Sequence, residues 1–372
     1  MTVNKYTVFM ADNTGRVGEI EYSRLWFGNR YLAKGRWELS TNYIPAPITW
    51  KSRVEIVRKG VIVFSGPFTE LERNWTYAET DQRRYAGTCD NIFLDRAFVS
   101  PDPSLSTGPY TTQVADVRGP GAAETIIRQY VNYNIGPLAV ASRKNALLTL
   151  ATDQARGSQV KGRARFEPLM EFCLPLAFTG GVGFEIVGMQ FRFYVPSDKS
   201  GSIIFSEDLD NLSKYEYKAS APQYNYVVVG GSGTGTSRTF YELGDGTSIT
   251  NVGRREMFID ARNTTDTAEL AQKAIEALTE KADGEVSIHV VPGAQAIEAM
   301  SPYDNYYLGD YVTVVVDGAP IVAQVQELGG LVTMDEAYEH VTLGNYGKAF
   351  GRLNTYDLIK ALSSRITRLE VV

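Results

Sequence analysis

A chain of 372 residues, 44% hydrophobic and 22% charged, has room for two or three domains and the composition of a globular protein. A net charge of −6 argues against a stable grip on nucleic acid, which needs clustered Lys and Arg, but not against the transient passage of DNA. The 22 Tyr and 16 Phe, with many Val and Thr, favour strands, and the 34 Gly suit tight turns.

Residues 1–98 read as all-β, with apolar or alternating runs at 6–10, 35–41, 53–57, 61–64 and 68–74. A short helix-compatible piece covers 90–98, and a Pro- and Ser-rich loop at 100–110 marks a boundary. Residues 120–200 change character. Ile126, Ile127, Tyr130 and Val131 predict a helix over 122–133. Phe166, Leu169, Met170, Cys173 and Leu174 predict a second over 166–178, which Pro175 should kink or end. Strands at 184–187 and 191–195 complete a small α/β unit. Residues 203–250 return to β, with a dense strand at 224–229. Asn263 to Ala282 is the clearest helix, with Leu270, Ala274, Ile275 and Leu278 on its apolar face. Strands resume at 286–291, in a hairpin within 305–328, and near Tyr338. Ile359, Leu362, Ile366 and Leu369 predict a C-terminal helix over 356–372 with a brief heptad seam.

Two of these stretches follow one plan. VEIVRKGVIVFSGPFTEL (54–71) and VTVVVDGAPIVAQVQEL (312–328) align Val54 with Val312, Val57 with Val315 and Gly60 with Gly318. After one gapped residue, Glu70 and Leu71 align with Glu327 and Leu328. Each is a β-branched run, a turn with Gly, and a second β-branched run, which is a hairpin signal. A chain that builds one hairpin twice is expected to build the same small barrel twice.

Chemistry-bearing motifs are weak. His289 and His340 are the two histidines, and neither has a neighbour at metal-ligand spacing. His289 alternates with Ile288 and Val290, which directs it to solvent or a polar contact. No Ser/His/Asp set and no G-x-S-x-G elbow is present. GGSGTGTS (230–237) follows a strand but lacks the Lys-Ser/Thr pair and a following helix, so it reads as a turn. Glu207, Asp208 and Asp210 do not continue as a calcium loop. Glu167 and Glu171, four apart, could serve glycoside hydrolysis but equally a wet helix face. Trp26, Trp37, Trp50 and Trp75 offer a carbohydrate platform or core and interface residues. The basic spots Arg83-Arg84 and 161–165 read as solvated faces. Cys89 and Cys173 read as reduced core residues. No signal peptide and no run long enough to cross a membrane is recognised. No catalytic, cofactor-binding or metal site is therefore assigned.

The order of parts resembles the tail hub proteins of long-tailed bacteriophages, and the N-terminal hub part of tail-associated lysins. The likeness rests on Val61 to Gly66, Gly87-Thr88-Cys89-Asp90 with Leu94-Asp95-Arg96, Tyr224 to Gly230, and Tyr307 to Val312. It implies an α+β, mainly β fold: two similar antiparallel β-barrel domains interrupted by α/β insertions, with a C-terminal helix. The domains would be 1–115 (first barrel), 116–205 (α/β insertion), 206–250 with 285–348 (second barrel), 251–284 (helical insertion) and 349–372 (helix).

The resemblance further implies a homotrimer whose six barrels join a six-fold tail tube to a three-fold tip around a DNA exit channel. Its expected partners are itself, the distal tail or tube ring, the tape measure protein, a central fibre or other tip proteins, and genomic DNA in transit. The expected location is the virion tail tip, after synthesis in the host cytoplasm. Many relatives continue into a wall-cleaving domain, whereas this sequence stops at Val372, so no lytic activity is carried over. A wall hydrolase using Glu167 or Glu185, and a receptor-binding protein using the Trp-rich first part, are the alternatives.

Overall fold

Alternating and β-branched runs dictate a mainly β chain, and the computed structural model, which describes residues 6–76, 79–108, 112–219, 221–262, 264–281, 286–292, 300–333 and 337–344, bears this out. The first part forms β1 (Thr7–Asp12), β2 (Gly15–Glu19), β3 (Arg24–Arg30), β4 (Arg36–Ser40), β5 (Arg53–Arg58), β6 (Val61–Thr76) and β7 (Glu79–Thr88). The one-turn α1 (Ile92–Asp95) follows. Next come β8 (Asp116–Ala122), α2 (Ala123–Asn134), β9 (Thr149–Leu150), β10 (Gln159–Ala164), α3 (Leu169–Gly180), β11 (Gly183–Val187) and β12 (Gln190–Tyr194). The chain continues through β13 (Ile204–Phe205), β14 (Leu212–Ala219), β15 (Tyr226–Gly230), β16 (Phe240–Gly244), α4 (Gly246–Val252), β17 (Glu256–Asp260) and α5 (Thr267–Lys281). It closes with β18 (Val286–Pro292), β19 (Tyr311–Val316), β20 (Ala319–Val332) and β21 (Ala337–Gly344). The expected C-terminal helix lies outside the described residues. None of the described helices is long and apolar enough to cross a membrane.

Thirteen strands share one sheet. Its main path runs β14-β18-β21-β20-β3-β4-β7-β6-β5-β1-β2, with β19 on β20 and β13 on β19. Split at the β20–β3 contact, the path contains one order twice. The first half reads β3-β4-β7-β6-β5-β1 and the second β14-β18-β21-β20-β19-β13. The outermost pairing differs, since β1 runs antiparallel to β5 but β13 parallel to β19. Among the described residues, no strand pairing closes either half into a barrel.

Three cores support this arrangement. Tyr6, Phe27, Trp37, Phe64, Phe68 and Tyr85 fill the first half. A larger core joins the second half to α2, α3 and the β11–β12 hairpin. A third, separate core packs Val227 and Val229 against Leu270, Ala274 and Leu278. The dense strand at 224–229 therefore does not join the second half of the large sheet. It becomes β15, the centre of a three-stranded sheet with β16 and β17 that α5 covers.

Two helices depart from expectation. Phe166 precedes α3, with φ of 62°, and packs edge-on against Phe98. Pro175 neither ends nor splits α3, which runs on to Gly181 in the left-handed conformation. The carbonyl that loses its N–H partner belongs to Glu171, on the wet side of the helix, where water can replace the bond. In α5 the cap is Asp266, whose carboxylate accepts the Ala268 N–H at 2.9 Å. Ile275, expected on the apolar face, is 42% exposed.

Candidate functional site: the seam between the two sheet halves

The repeated hairpin is a geometric repeat as well as a sequence repeat. Lys59 and Gly60 have φ of 50° and 81°, and Asp317 and Gly318 have 50° and 77°. Two consecutive left-handed residues make a type I′ turn, whose twist matches the flanking strands. The one-residue gap in the alignment also has a physical cause. Ile56 pairs with Phe64 and Val57 with Ile62, so Val63 is an extra residue, a β-bulge absent from the β19–β20 ladder. A second bulge occurs in both halves at equivalent places. Thr69 bulges between Phe68 and Glu70, and Gln326 bulges between Val325 and Glu327.

With the bulges aligned, rungs across four strands correspond. Trp26-Glu38-Ala86-Glu70 in the first half matches Glu216-His289-Thr342-Glu327 in the second. The strands β3, β4, β7 and β6 are thus equivalent, residue for residue, to β14, β18, β21 and β20.

The two halves meet where β20 pairs with β3. Glu327 to Val332 lie antiparallel to Arg30 to Leu25, with Gly329 opposite Gly28. Both glycines are required by contact. A Cβ on Gly329 would sit 2.1 Å from the Phe27 carbonyl oxygen, and one on Gly28 would sit 2.7 Å from a Glu327 carboxylate oxygen.

Buried charges sit along this seam. The Arg30 Nε donates to Glu327 at 2.6 Å, and His340 Nε2 lies 3.2 Å from the other carboxylate oxygen. Burial alone would raise the Glu327 carboxyl, but Arg30 and His340 hold it down to about 2. His340 stacks on Trp26 at 6.1 Å and lies 5.8 Å from His289. Burial, with His340 nearby, lowers His289 to about 4, so His289 is neutral near pH 7. Expected to reach solvent or a polar contact, it faces the Thr342 hydroxyl at 3.4 Å.

A second bridge comes from the first hairpin. Arg58, with a side chain 4% exposed, reaches Glu339 at 3.1 Å, Asp304 at 3.1 Å and the Ser301 hydroxyl. The Tyr6 hydroxyl donates to Glu339 at 3.2 Å. A third bridge ties the α/β part to both halves: Glu185 accepts from Asn29 at 3.1 Å, Arg192 at 2.9 Å and Tyr307 at 2.8 Å. Paired buried charges of this kind favour one arrangement of the parts, and removing one partner leaves the other's charge in a dry interior.

The residues weighed as an active site do not assemble into one. Glu185 is 2% exposed and held by the three donors above. Glu167 and Glu171 line a different place, a cavity of about 250 Å³ shared with Lys161, Lys273 and Glu276. Burial raises the Glu167 and Glu276 carboxyls. Among the described residues, no three His, Cys, Asp or Glu side chains are gathered as a metal site. Residues 230–237 form the turn from β15 to β16, where Arg238 donates to the Gly230 and Gly231 carbonyls. The three tryptophans whose side chains are described do not form a platform: Trp37 is fully buried, Trp26 lies in the seam and Trp50 is 73% exposed. The Trp75 side chain lies outside the described residues. Cys89 and Cys173 are buried free thiols, and burial pushes Cys89 up to about 12.

Sequence reasoning missed β3, β7 and β14. The Leu25-Trp26-Phe27 run and the Tyr215, Tyr217 alternation were the available signals. It aligned Glu327 with Glu70 but gave no role to Glu327 or to Arg58, whose signal was a charge embedded in a β-branched run.

This is the fold of phage tail proteins. The 43 kDa tail protein of prophage MuSo2 from Shewanella oneidensis superposes with a TM-score of 0.60 at 12% identity, covering 91% of this chain and 98% of that one. Prophage tail protein gp18 from Listeria monocytogenes EGD-e gives 0.60 at 9% identity, covering 97% and 99%. A tail protein from Neisseria meningitidis MC58 gives 0.55 at 12% identity, covering 92% and 97%. At such identities the likeness is one of fold. No curated protein matches the chain in sequence. The pattern of the Siphovirus ReqiPepy6 Gp37-like protein family matches residues 11–345, and the chain belongs to that family.

Proposed function

We propose that this chain is a structural hub at the tip of a phage tail, acting as a trimer that presents six β modules in a ring. The observation that carries the reading is the repeated six-strand order, with its matched turns and bulges. A tube of six-fold symmetry can dock on three copies of a chain that contains the same module twice. The family membership and the tail-protein fold support the same setting.

In this reading residues 226–281 form an inserted unit of their own, and the β units are 1–115 and the discontinuous 204–219 with 286–344. They take the places of the two expected barrels, with curvature completed in the assembled ring rather than within one chain. The ring encloses the DNA exit channel, and the net charge of −6 suits a passage that DNA must not adhere to. Partners are two further copies, the tube-end ring, the tape measure protein and the tip proteins. In this reading the chain works by shape rather than by chemistry.

Location tests this function. Gold-labelled antibody against the chain is expected at the distal end of the tail, one site per particle. Label along the tube, on the capsid or on unassembled material only would contradict it.

A further inference from the structure

The seam inside one chain predicts a second seam between chains. Within the chain, β3 of the first half lies on β20 of the second. The equivalent of β3 is β14, and the equivalent of β20 is β6. If each half meets the next in the same way, β14 of one chain must meet β6 of another.

Both strands are open to such a contact. β14 ends the sheet path, with β18 as its one strand neighbour there. β6 is sixteen residues long, but β5 covers it only as far as Pro67. Beyond that point β7 flanks it on one side, and no described strand lies on the other. Side chains along both are out in solvent: Leu71 is 56% exposed and Tyr217 is 44% exposed. Trp50, 73% exposed, lines a shallow cavity beside Thr69 and Leu71, which places a large aromatic at this edge. Long exposed edges invite strand addition, and the bulges of β6 (at Thr69 and between Asn74 and Thr76) and of β14 (between Leu212 and Lys214) fall outside Leu71–Arg73 and Tyr217–Ala219. Among the described residues, β14 and β6 do not pair with each other.

The register follows from the equivalences. Gly329 opposite Gly28 becomes Glu72 opposite Lys218, and Gly330 opposite Phe27 becomes Arg73 opposite Tyr217. Leu328 opposite Asn29 becomes Leu71 opposite Ala219. The tightest point of the inner seam is thereby replaced by an acid facing a base. An Arg faces a Tyr ring beside it, and opposite charges directly across a ladder favour pairing. A shift of the ladder by one residue would lose this match and turn side chains to the wrong face.

We propose that β6 of each chain pairs antiparallel with β14 of a neighbouring copy, Glu72 facing Lys218, and that this pairing closes the ring of the trimer. The proposal rests on the hub reading above and adds its closing contact. Inner and outer seams then alternate, three of each, around a continuous sheet.

The test is a chain carrying both Glu72→Cys and Lys218→Cys, oxidised mildly and run on a denaturing gel beside the two single variants. The native Cys89 and Cys173 are buried and leave the background low. Covalent dimers and trimers from the double variant, absent from either single variant, are expected. The native mass of the unmodified chain, measured in parallel, separates the two ideas. A three-chain mass without interchain cross-links overturns this pairing and leaves the hub intact. A single-chain mass at all concentrations overturns both. A cross-link within one chain also overturns the pairing. Charge reversal gives an independent readout: Glu72→Lys should lower the trimer fraction at least tenfold, and adding Lys218→Glu should restore it. No loss with Glu72→Lys, or no recovery in the pair, would count against the register.

Discussion

Arg58→Ala lowers the unfolding free energy by about 3–5 kcal/mol, the usual cost of removing one partner from a buried ion pair. Arg58 is nearly inaccessible, and it bonds to Glu339, Asp304 and Ser301 together. Its removal takes the Arg58 charge away from Glu339, whose side chain is 1% exposed. Single domains are stable by only about 5–15 kcal/mol, so the loss is a large share. The effect should reach across the molecule, because Arg58 belongs to the first hairpin and its partners to the second half. Urea unfolding followed by tyrosine and tryptophan emission measures it. A change under about 1 kcal/mol would mean that the bridge does not hold the halves together.

Acid is the second large effect, and its sign follows from two groups. Glu327 is held at about 2 against an ordinary 4.5, because Arg30 and His340 outweigh its burial. A depressed carboxyl contributes stability that is present above 4.5 and is lost as pH falls toward 2. The difference corresponds to about 3 kcal/mol. His289 is held at about 4 against an ordinary 6.5, since burial and His340 disfavour its charge. The unfolded chain therefore binds this proton first, and stability is lost as pH falls from 6.5 toward 4. Unfolding free energy should decline in two stages, from 6.5 to 4 and then from 4.5 to 2. His289→Gln should flatten the first stage and spare the second. A flat profile between pH 7 and 3 would contradict both assignments.

Parts of this were legible in the sequence. The hairpins could be read because Lys59-Gly60 and Asp317-Gly318 are turn pairs that tolerate positive φ, set between β-branched runs. Even the alignment gap carried information, as the bulge at Val63. The duplication followed from these local signals alone. The strand that joins the halves did not. β3 is buried along most of its length, so it lacks the alternation that marks a half-exposed strand. The same cause hid the charge network. Glu327 and Arg58 look like stray charges until the ladders of β20 with β3 and β21 bring Arg30 and His340 to Glu327, and the first hairpin meets Glu339 through Arg58. Such long-range partners leave no periodic trace. Likewise the strand at 224–229 gave its type but not its sheet, because α5 claims it through Leu270 and Ala274, more than forty residues on.

The repeated strand order makes one structural claim above the rest: three chains supply six equivalent modules to one ring. End-on images of the purified protein by electron cryomicroscopy test it most directly. The expected particle has the mass of three 41.1 kDa chains and shows six lobes around a central opening, alternating in pairs under three-fold symmetry. A single-chain particle, or a trimer with three lobes and no second set between them, would contradict the account.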